Sequence, residues 1–180
     1  QGTAVEWGLA EGADIPYMEG LQKNRYVGRT FNMPAHSVRE NAVRMKLNPV
    51  RRHISGKSVI LVDDSIVRGT TSLHIVDMVR EFGAAEVHMR IGSTPIVAPC
   101  YFGVDLPTRE ELIANGRTVE EIRDMIHATS LEYISTEDLV DSVGIPSEDL
   151  CMACSCGAYP LEIPNESCCA CRRITPAKDD

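Results

Sequence analysis

The sequence lacks any long hydrophobic run. No apolar stretch among its 180 residues approaches the roughly 18 residues needed to cross a bilayer as a helix. The first residues, 1–6, have neither the basic start nor the apolar stretch of a secretory signal. We therefore expect neither membrane insertion nor secretion, and we expect a cytoplasmic protein. The missing initial Met predicts a processed or truncated chain.

Basic residues are scarce overall. The 18 Lys and Arg stand against 26 Asp and Glu, which gives a formal net charge of −8. An acidic balance argues against a protein that coats nucleic acid. Nine of the basic residues nevertheless lie between residues 20 and 60, with a single acid, Glu40. Such a segment suits a small polyanion, and a solvated basic helix and loop is the alternative interpretation.

Cysteine is nearly absent from the first 150 residues, where only Cys100 occurs. The other six of the seven cysteines lie between Cys151 and Cys171. An odd total without a signal peptide does not fit a secreted disulfide framework. The distribution indicates a reduced compartment and metal or redox chemistry.

Strands and helices are predicted to alternate along the chain. The apolar, β-branched run at 58–62 predicts a strand buried on both faces of a parallel sheet. A helix follows, because apolar residues from Leu73 to Phe82 recur at helical spacing, and 86–93 is predicted to form the next strand. Further helices are predicted at 3–11, 37–47, 118–127 and from Ser135, short strands at 15–17 and 131–134, and loops at 23–30 and after Pro146.

Two acids and a turn rich in small hydroxyl residues follow the strand at 58–62. Ligands bind beyond the carboxyl ends of parallel strands, and a helix N-terminus with a nearby glycine, here Gly69, can approach an anion closely. The turn therefore predicts a cradle for a phosphate monoester. Asp63 and Asp64 would accept hydrogen bonds from the hydroxyls of a phosphorylated ribose, with Mg²⁺ nearby. The alternative is that Asp63 only caps the helix and Asp64 is a solvated loop acid.

Separate segments of the chain resemble one family. The run Leu61-Val62-Asp63-Asp64-Ser65-Ile66-Val67-Arg68-Gly69-Thr70-Thr71 resembles the phosphoribosyl-diphosphate (PRPP) motif of type I phosphoribosyltransferases, in the form found in glutamine PRPP amidotransferases. The run 23–31 resembles the flexible loop with which that family covers PRPP, and 99–105 and 111–114 resemble further family segments. The resemblance extends over roughly residues 1 to 163.

The resemblance implies a fold and a domain organisation. We expect an α/β protein with the type I phosphoribosyltransferase fold, a central parallel sheet flanked by helices, and a loop-rich, Cys-containing C-terminal tail. Residues 1–145 would form an N-terminally truncated phosphoribosyltransferase domain and 146–180 the Cys-rich segment. The family's N-terminal glutaminase domain is not in this sequence, so we expect a C-terminal piece that is unable to use glutamine by itself.

The resemblance also implies a reaction, in which ammonia from the glutaminase domain displaces diphosphate from C1 of PRPP. The product, 5-phosphoribosylamine, belongs to the first committed step of de novo purine synthesis. By resemblance, Asp63 and Asp64 hold the ribose hydroxyls and Mg²⁺, and the PRPP-binding turn comprises Asp63, Asp64, Ser65, Ile66, Val67, Arg68, Gly69, Thr70 and Thr71. The basic residues Lys23, Arg25 and Arg29 would screen the diphosphate. A homotetramer inhibited by purine nucleotides is implied as well, with no nucleic-acid or membrane partner.

The spacing Cys151-x-x-Cys154 lets two thiolates grip one metal centre, and tetrahedral zinc or redox chemistry fits it equally well. The family resemblance implies that Cys100, Cys151 and Cys154 are ligands of a structural [4Fe–4S] cluster. Its fourth ligand would lie outside this chain, unless Cys156 or a later Cys replaces it. The cysteines Cys168, Cys169 and Cys171 have no counterpart in the family pattern and are interpreted as a reducible tail or as a second metal contact.

Two other functions are compatible with parts of the sequence. A non-catalytic PRPP-sensing regulator could use the same fold, and a DNA-binding extension would favour it. A zinc-binding interaction module would rest on the Cys-rich tail alone. The match at 23–31 favours the transferase, because fold analogy alone does not decide function.

Overall fold

A computed structural model describes residues 3–23 and 47–163. The first elements are α1 (Thr3–Gly12), β1 (Leu21–Lys23), β2 (Leu47–Pro49) and α2 (Arg51–Ile54). The strands β1 and β2 form an antiparallel ribbon in which Lys23 lies opposite Leu47. The main body then comprises β3 (Ser58–Asp63), α3 (Thr70–Glu81), β4 (Glu86–Ile91), α4 (Val119–Met125), β5 (Ser130–Tyr133), α5 (Thr136–Val143) and α6 (Ala153–Cys156), with short 3₁₀ turns at Arg109–Glu111 and Ser147–Asp149.

The strands of the main body form a parallel sheet in the order β3-β4-β5. Asp63, Ile91 and Tyr133 lie side by side in its last common row. Parallel strands need crossover connections, and helices α3 and α4 provide them here. The predicted β-loop-α-β unit and the parallel sheet flanked by helices are confirmed.

The hydrophobic core lies between one face of this sheet and helices α3 and α4. Alternate residues of the strands enter it, as the period of two in a strand requires. The fully or almost fully buried core side chains are Ile54, Ile66, Val76, Val79, Val87, Met89, Ile91, Ile113, Ala114, Ile122, Ile126, Ala128 and Leu131. Burial of each large aliphatic side chain contributes about 1.5–3 kcal/mol, so this cluster holds the carboxyl edge of the sheet in place.

The opposite face of the sheet is polar over its first rows, which corrects the prediction that the strand at 58–62 is buried on both sides. Ile60 is 41% exposed and pairs with His88 on β4. Around it the Ser58 hydroxyl donates to Glu86 Oε2 at 2.9 Å, and His88 Nδ1 lies 2.8 Å from the hydroxyl of Ser130. The sequence of this strand does not alternate between apolar and polar residues, because Ile60 is apolar although it lies on the polar face of the sheet.

Helix boundaries follow the capping residues that the sequence contains. The Thr118 hydroxyl accepts the Glu121 N–H at 3.2 Å and Glu121 accepts the Thr118 N–H at 2.8 Å, so the predicted capping box opens α4. Ser135 accepts the Asp138 N–H at 3.0 Å and opens α5. These two predicted helix starts are confirmed.

Two predictions for the first third of the chain have other outcomes. The predicted strand at 15–17 is wrong, since that stretch is irregular and the nearby strand is β1. The predicted helix at 37–47 lies outside the described residues except for Leu47, which begins β2. Within the described ranges, the helices are all too short or too polar to cross a membrane.

Candidate functional site

The candidate site is the turn that joins β3 to α3. It starts at Asp63, the last residue of β3, and ends at Gly69, the N-cap of α3. Gly69 has a φ of +78°, a left-handed conformation that an L side chain rarely adopts. The turn therefore lies at the carboxyl end of a parallel strand and leads into a 12-residue helix whose first N–H groups have no intrahelical partner.

Asp63 is the better shielded of the two acids. Burial raises the pKa of its carboxyl group, the Asp64 N–H partly offsets this, and the charges of Asp64 and Glu6 raise the pKa further. The Asp64 N–H donates to Asp63 Oδ1 at 2.9 Å, and the Gly92 N–H donates to the Asp63 carbonyl at 2.9 Å. The first contact fixes the carboxylate and the second ties its backbone to the end of β4.

Asp64 is exposed and receives a hydrogen bond of 3.3 Å from the Ser65 hydroxyl. The pair thus offers one half-buried and one solvent-facing carboxylate side by side. Carboxylate oxygens accept hydrogen bonds from sugar hydroxyls and are ligands that Mg²⁺ prefers. The two carboxylates therefore suit both predicted partners, as acceptors for ribose hydroxyls and as ligands for a magnesium ion.

The middle of the turn anchors it to the core. Ile66 is 2% exposed and belongs to the hydrophobic core cluster. The carbonyl of Val67 accepts the Ile113 N–H at 2.9 Å. The two apolar residues of the motif therefore hold the turn in place, and any contribution of Ile66 to a ligand would come from its backbone.

The end of the turn supplies charge and hydroxyl groups. Thr70 is half-buried and Thr71 is exposed at the start of α3. Arg68 Nε donates to Glu111 Oε1 at 3.1 Å, so this side chain is paired within the chain. The predicted residues from Asp63 to Thr71 thus lie in this turn and in the first two residues of α3, and their role in binding stays a prediction.

The predicted basic loop is described only at its first residue. Lys23 ends β1 and is exposed. Arg25 and Arg29 lie outside the described residues. The assignment of these three residues to a loop over the diphosphate stays a prediction.

The first part of the Cys-rich segment packs against the loop that follows β4. The N–H groups of Val97 and Ala98 both donate to the Cys154 carbonyl, at 2.8 and 3.0 Å. Thr94 Oγ1 donates to Ser155 Oγ at 2.6 Å, and the Tyr159 hydroxyl donates to the Pro99 carbonyl at 2.8 Å. These contacts bring the backbone of Cys154 close to the loop that contains Cys100.

The thiol of Cys100 lies among backbone donors. The Phe102 N–H approaches its sulfur at 3.4 Å, and hydrogen bonds from the backbone of Phe102 and Val104 lower the pKa of the thiol. Cys100, Cys151 and Cys154 are free thiols, and Cys156 Sγ accepts the Ala158 N–H at 3.4 Å. Cys168, Cys169 and Cys171 lie outside the described residues.

In the part of the chain that the structure describes, metal ligands are not gathered into a formed centre. Over residues 3–23 and 47–163, the structure has no group of three or more His, Cys, Asp or Glu side chains placed to hold a metal ion. The thiolate-stabilising donors around Cys100 suit a sulfur ligand, but Cys100, Cys151 and Cys154 do not meet as a triad. The predicted cluster and the predicted magnesium site stay predictions.

Several residues that shape the turn were not predicted as site residues. Glu6 raises the pKa of Asp63 from α1, Gly92 donates to the Asp63 backbone, and Ile113 donates to Val67. Glu111 pairs with Arg68 and closes a capping box with Thr108. The spacing Thr108-x-x-Glu111 is the only local signal among these contacts; the others join residues far apart in the sequence.

Comparison with known proteins gives consistent matches, although no family model matches the chain. The chain is 53% identical over 169 residues to an amidophosphoribosyltransferase of Archaeoglobus fulgidus, a match that covers 93% of this chain and 37% of the relative. It is 54% identical over 160 residues to the amidophosphoribosyltransferase of Bacillus subtilis, covering 87% of this chain and 34% of the relative.

A solved structure agrees with these matches. The glutamine PRPP amidotransferase from B. subtilis, complexed with ADP and GMP, superposes with a TM-score of 0.77 at 52% sequence identity. The superposition covers 89% of this chain and 36% of that one. The chain thus spans about a third of the length of the proteins that it matches.

Proposed function

This chain belongs to the amidophosphoribosyltransferase family, and we propose that it is the part of such an enzyme that transfers the phosphoribosyl group. The reaction displaces diphosphate from C1 of PRPP with ammonia and gives 5-phosphoribosylamine. One observation carries the proposal: the Asp63-Asp64 turn ends a parallel strand and leads into a helix N-terminus, in a sequence about half identical to these enzymes.

The ligand would lie across the turn. Its 5′-phosphate would accept hydrogen bonds from the first N–H groups of α3 and from the hydroxyls of Ser65, Thr70 and Thr71. Its ribose hydroxyls would donate to Asp63 and Asp64. These two carboxylates would also hold Mg²⁺, which when bound supplies positive charge to the diphosphate.

The protein needs no strong base for this reaction, because ammonia is already a competent nucleophile. Its main task is electrostatic, to stabilise an electron-poor ribosyl centre and a departing diphosphate. We assign Lys23, Arg25 and Arg29 to the screening of that diphosphate. Exclusion of water by the same segment would limit hydrolysis of PRPP.

The remaining partners are proposed from the family. Ammonia would come from a glutaminase domain, and purine nucleotides would inhibit the enzyme. The B. subtilis structure that this chain resembles contains ADP and GMP. A homotetramer in the cytoplasm completes the proposal.

The domain organisation is proposed in the same way. Residues 1–145 would form the phosphoribosyltransferase domain and 146–180 a Cys-rich segment. The contacts of Cys154, Ser155 and Tyr159 with the loop at 94–99 support a segment that docks on this domain.

We also propose that Cys100, Cys151 and Cys154 are ligands of a structural [4Fe–4S] cluster. Support comes from the backbone contacts between Cys154 and the Cys100 loop, and from the donors that lower the pKa of Cys100. Anaerobic purification followed by iron and sulfide assay and visible absorption tests this assignment. Zinc without sulfide would reject it.

The transferase proposal is tested by ammonia-dependent release of diphosphate from PRPP by the full-length protein. Asp64→Asn is expected to lower the rate at least about ten-fold, because it removes one of the two carboxylate charges assigned to the ribose hydroxyls and Mg²⁺. Asp141→Asn, which changes an exposed acid in α5, is the matched control. Equal rates for the Asp64 variant and the wild type would contradict the assigned role, and PRPP binding without turnover would favour the sensing regulator.

A further inference from the structure

The turn from Asp63 to Gly69, which we call the phosphate turn, packs against the segment Thr108–Ile113, which we call the backing segment. The Ile113 N–H donates to the Val67 carbonyl at 2.9 Å. A β-carbon at Gly69 would overlap the Cδ1 atom of Ile113, so the backing segment touches the turn with no space between them. The shape of the turn therefore depends on residues more than 40 positions later in the sequence.

Glu111 joins the backing segment to the turn through a charged contact. Its Oε1 accepts the Arg68 Nε–H at 3.1 Å, and its Oε2 accepts the Thr108 N–H at 3.3 Å. Both carboxylate oxygens are thus engaged, one by the turn and one by the backing segment itself. The hydrogen bond from Arg68 is the main cause that lowers the pKa of Glu111, so the carboxylate is charged at neutral pH.

Arg68 stands directly before Gly69, the N-cap of α3. The N–H groups that would bind a phosphate begin with the next residues. A freely moving guanidinium at this position could enter the cradle or pull Gly69 away from Ile113. The hydrogen bond to Glu111 ties the Arg68 side chain to the backing segment instead.

We propose that Glu111 is a positioning residue. By holding Arg68, it keeps the C-terminal half of the phosphate turn in the shape that receives a 5′-phosphate. This inference rests on the proposed function, because it assumes that the turn binds a phosphorylated ribose. The Arg68 and Glu111 side chains are 45% and 49% exposed. Ion pairs this exposed add little to global stability, so the effect is expected in ligand binding and not in folding.

The sign of the effect distinguishes positioning from plain electrostatics. Glu111 is itself negative and would repel a nearby phosphate. If it acted by charge alone, Glu111→Gln would tighten binding of an anion. If it acts by holding Arg68, the same change weakens binding.

The test is calorimetric titration of the full-length protein with ribose 5-phosphate and with PRPP and Mg²⁺. Glu111→Gln is expected to raise both dissociation constants about two- to five-fold, the range that the worth of an exposed ion pair allows. Glu111→Asp should act in the same direction, because its shorter side chain cannot bridge Arg68 and Thr108 together. Glu121→Gln is the matched control, since Glu121 caps α4 through Thr118 in the same way.

A double-mutant cycle with Arg68→Gln shows whether Glu111 acts through Arg68. In the Arg68→Gln background, Glu111→Gln is expected to have no further effect on either dissociation constant. Thermal unfolding of each variant is measured alongside. If Glu111→Gln destabilises the protein more than Glu121→Gln does, the comparison is made with Glu111→Asp.

The outcomes separate the two proposals. A wild-type protein that binds neither ligand contradicts the proposed function, and the inference falls with it. A wild-type protein that binds, with equal or tighter binding by Glu111→Gln, overturns the inference alone. The inference is also overturned if Glu111→Gln raises the dissociation constants as much in the Arg68→Gln background as in the wild type. It is overturned as well if Glu121→Gln raises them as much as Glu111→Gln does.

Discussion

Gly69 lies against Ile113 so closely that a β-carbon on the glycine would overlap the Cδ1 atom of the isoleucine. Gly69 also has a φ of +78°, and Ile113 is only 4% exposed. Conformation and packing therefore both require glycine at this position. The contact links the start of α3 to the hydrophobic core.

Gly69→Ala is expected to destabilise the protein by about 2–4 kcal/mol, since it adds a left-handed alanine and an overpacked contact. Urea unfolding measures the change. Gly116→Ala is the matched control: Gly116 has a φ of +70° with nothing within 4 Å of the added carbon, so it should lose only about 1–2 kcal/mol. Equal losses at the two positions would show that the packing against Ile113 is unimportant.

The central part of the fold could be predicted from the sequence because its determinants are local. The apolar run before Asp63 specifies β3, and helical spacing specifies α3. Thr118 and Ser135 mark two helix starts through their own side chains. Each of these elements is encoded within a dozen residues.

The surroundings of the site could not be predicted because they join distant residues. Arg68 and Glu111 are 43 positions apart, and Gly92 reaches back to Asp63. The exposure of Ile60 depends on its neighbour His88 across the sheet. Such contacts follow from how the elements pack against each other. The hydrophobic periodicity within one element does not predict that packing.

A hydrogen bond between a buried and a half-buried hydroxyl joins the Cys-rich segment to the loop after β4. Thr94 is 5% exposed, and its hydroxyl donates to Ser155 at 2.6 Å. Thr94→Val keeps the volume but leaves the Ser155 hydroxyl without this partner, at a cost of about 1–3 kcal/mol. We expect faster amide hydrogen exchange and faster proteolysis in α6.

The control for that experiment is Ser142→Ala, which removes an exposed hydroxyl that donates to the Leu139 carbonyl. It should leave exchange in α6 unchanged. Exchange in α6 that is also unchanged in Thr94→Val would mean that the backbone contacts of Cys154 hold the segment alone.

Acid should reduce the stability that Glu86 contributes on the polar face of the sheet. Hydrogen bonds from Ser58 and His88 lower the pKa of its carboxyl group in the folded protein. A lowered folded pKa contributes stability that is present above the ordinary glutamate pKa and is lost as the pH falls through the folded value. Glu86→Gln should therefore be less stable than the wild type at pH 7, and the difference should vanish in acid.

Urea unfolding at a series of pH values between about 7 and 3 measures this difference. Glu162→Gln changes an exposed glutamate outside the sheet and serves as the control. A difference between Glu86→Gln and the wild type that stays constant over the whole range would show that the contacts of Glu86 do not depend on its charge.

Tyr133 has a hydroxyl that is buried at the end of β5 with no hydrogen-bond partner in the part of the chain that the structure describes. An unpaired buried hydroxyl costs about 1–3 kcal/mol, so Tyr133→Phe should stabilise the protein at pH 7. Burial also raises the pKa of Tyr133 to about 12. The unfolded chain ionises first, near pH 10, so the wild type should lose stability between about pH 10 and 12 and the variant should lose less.

Tyr17→Phe gives the contrasting case, because the exposed Tyr17 hydroxyl donates to Glu6 Oε2 at 3.2 Å. Its removal should leave stability at pH 7 unchanged or slightly lower. Calorimetric unfolding of both variants at pH 7 shows whether each substitution raises or lowers the stability of the protein. If Tyr133→Phe were also destabilising, its hydroxyl would have to bond to a water molecule or another partner, and the carboxyl end of β5, two strands away from Asp63, would then be a polar site and not an extension of the core.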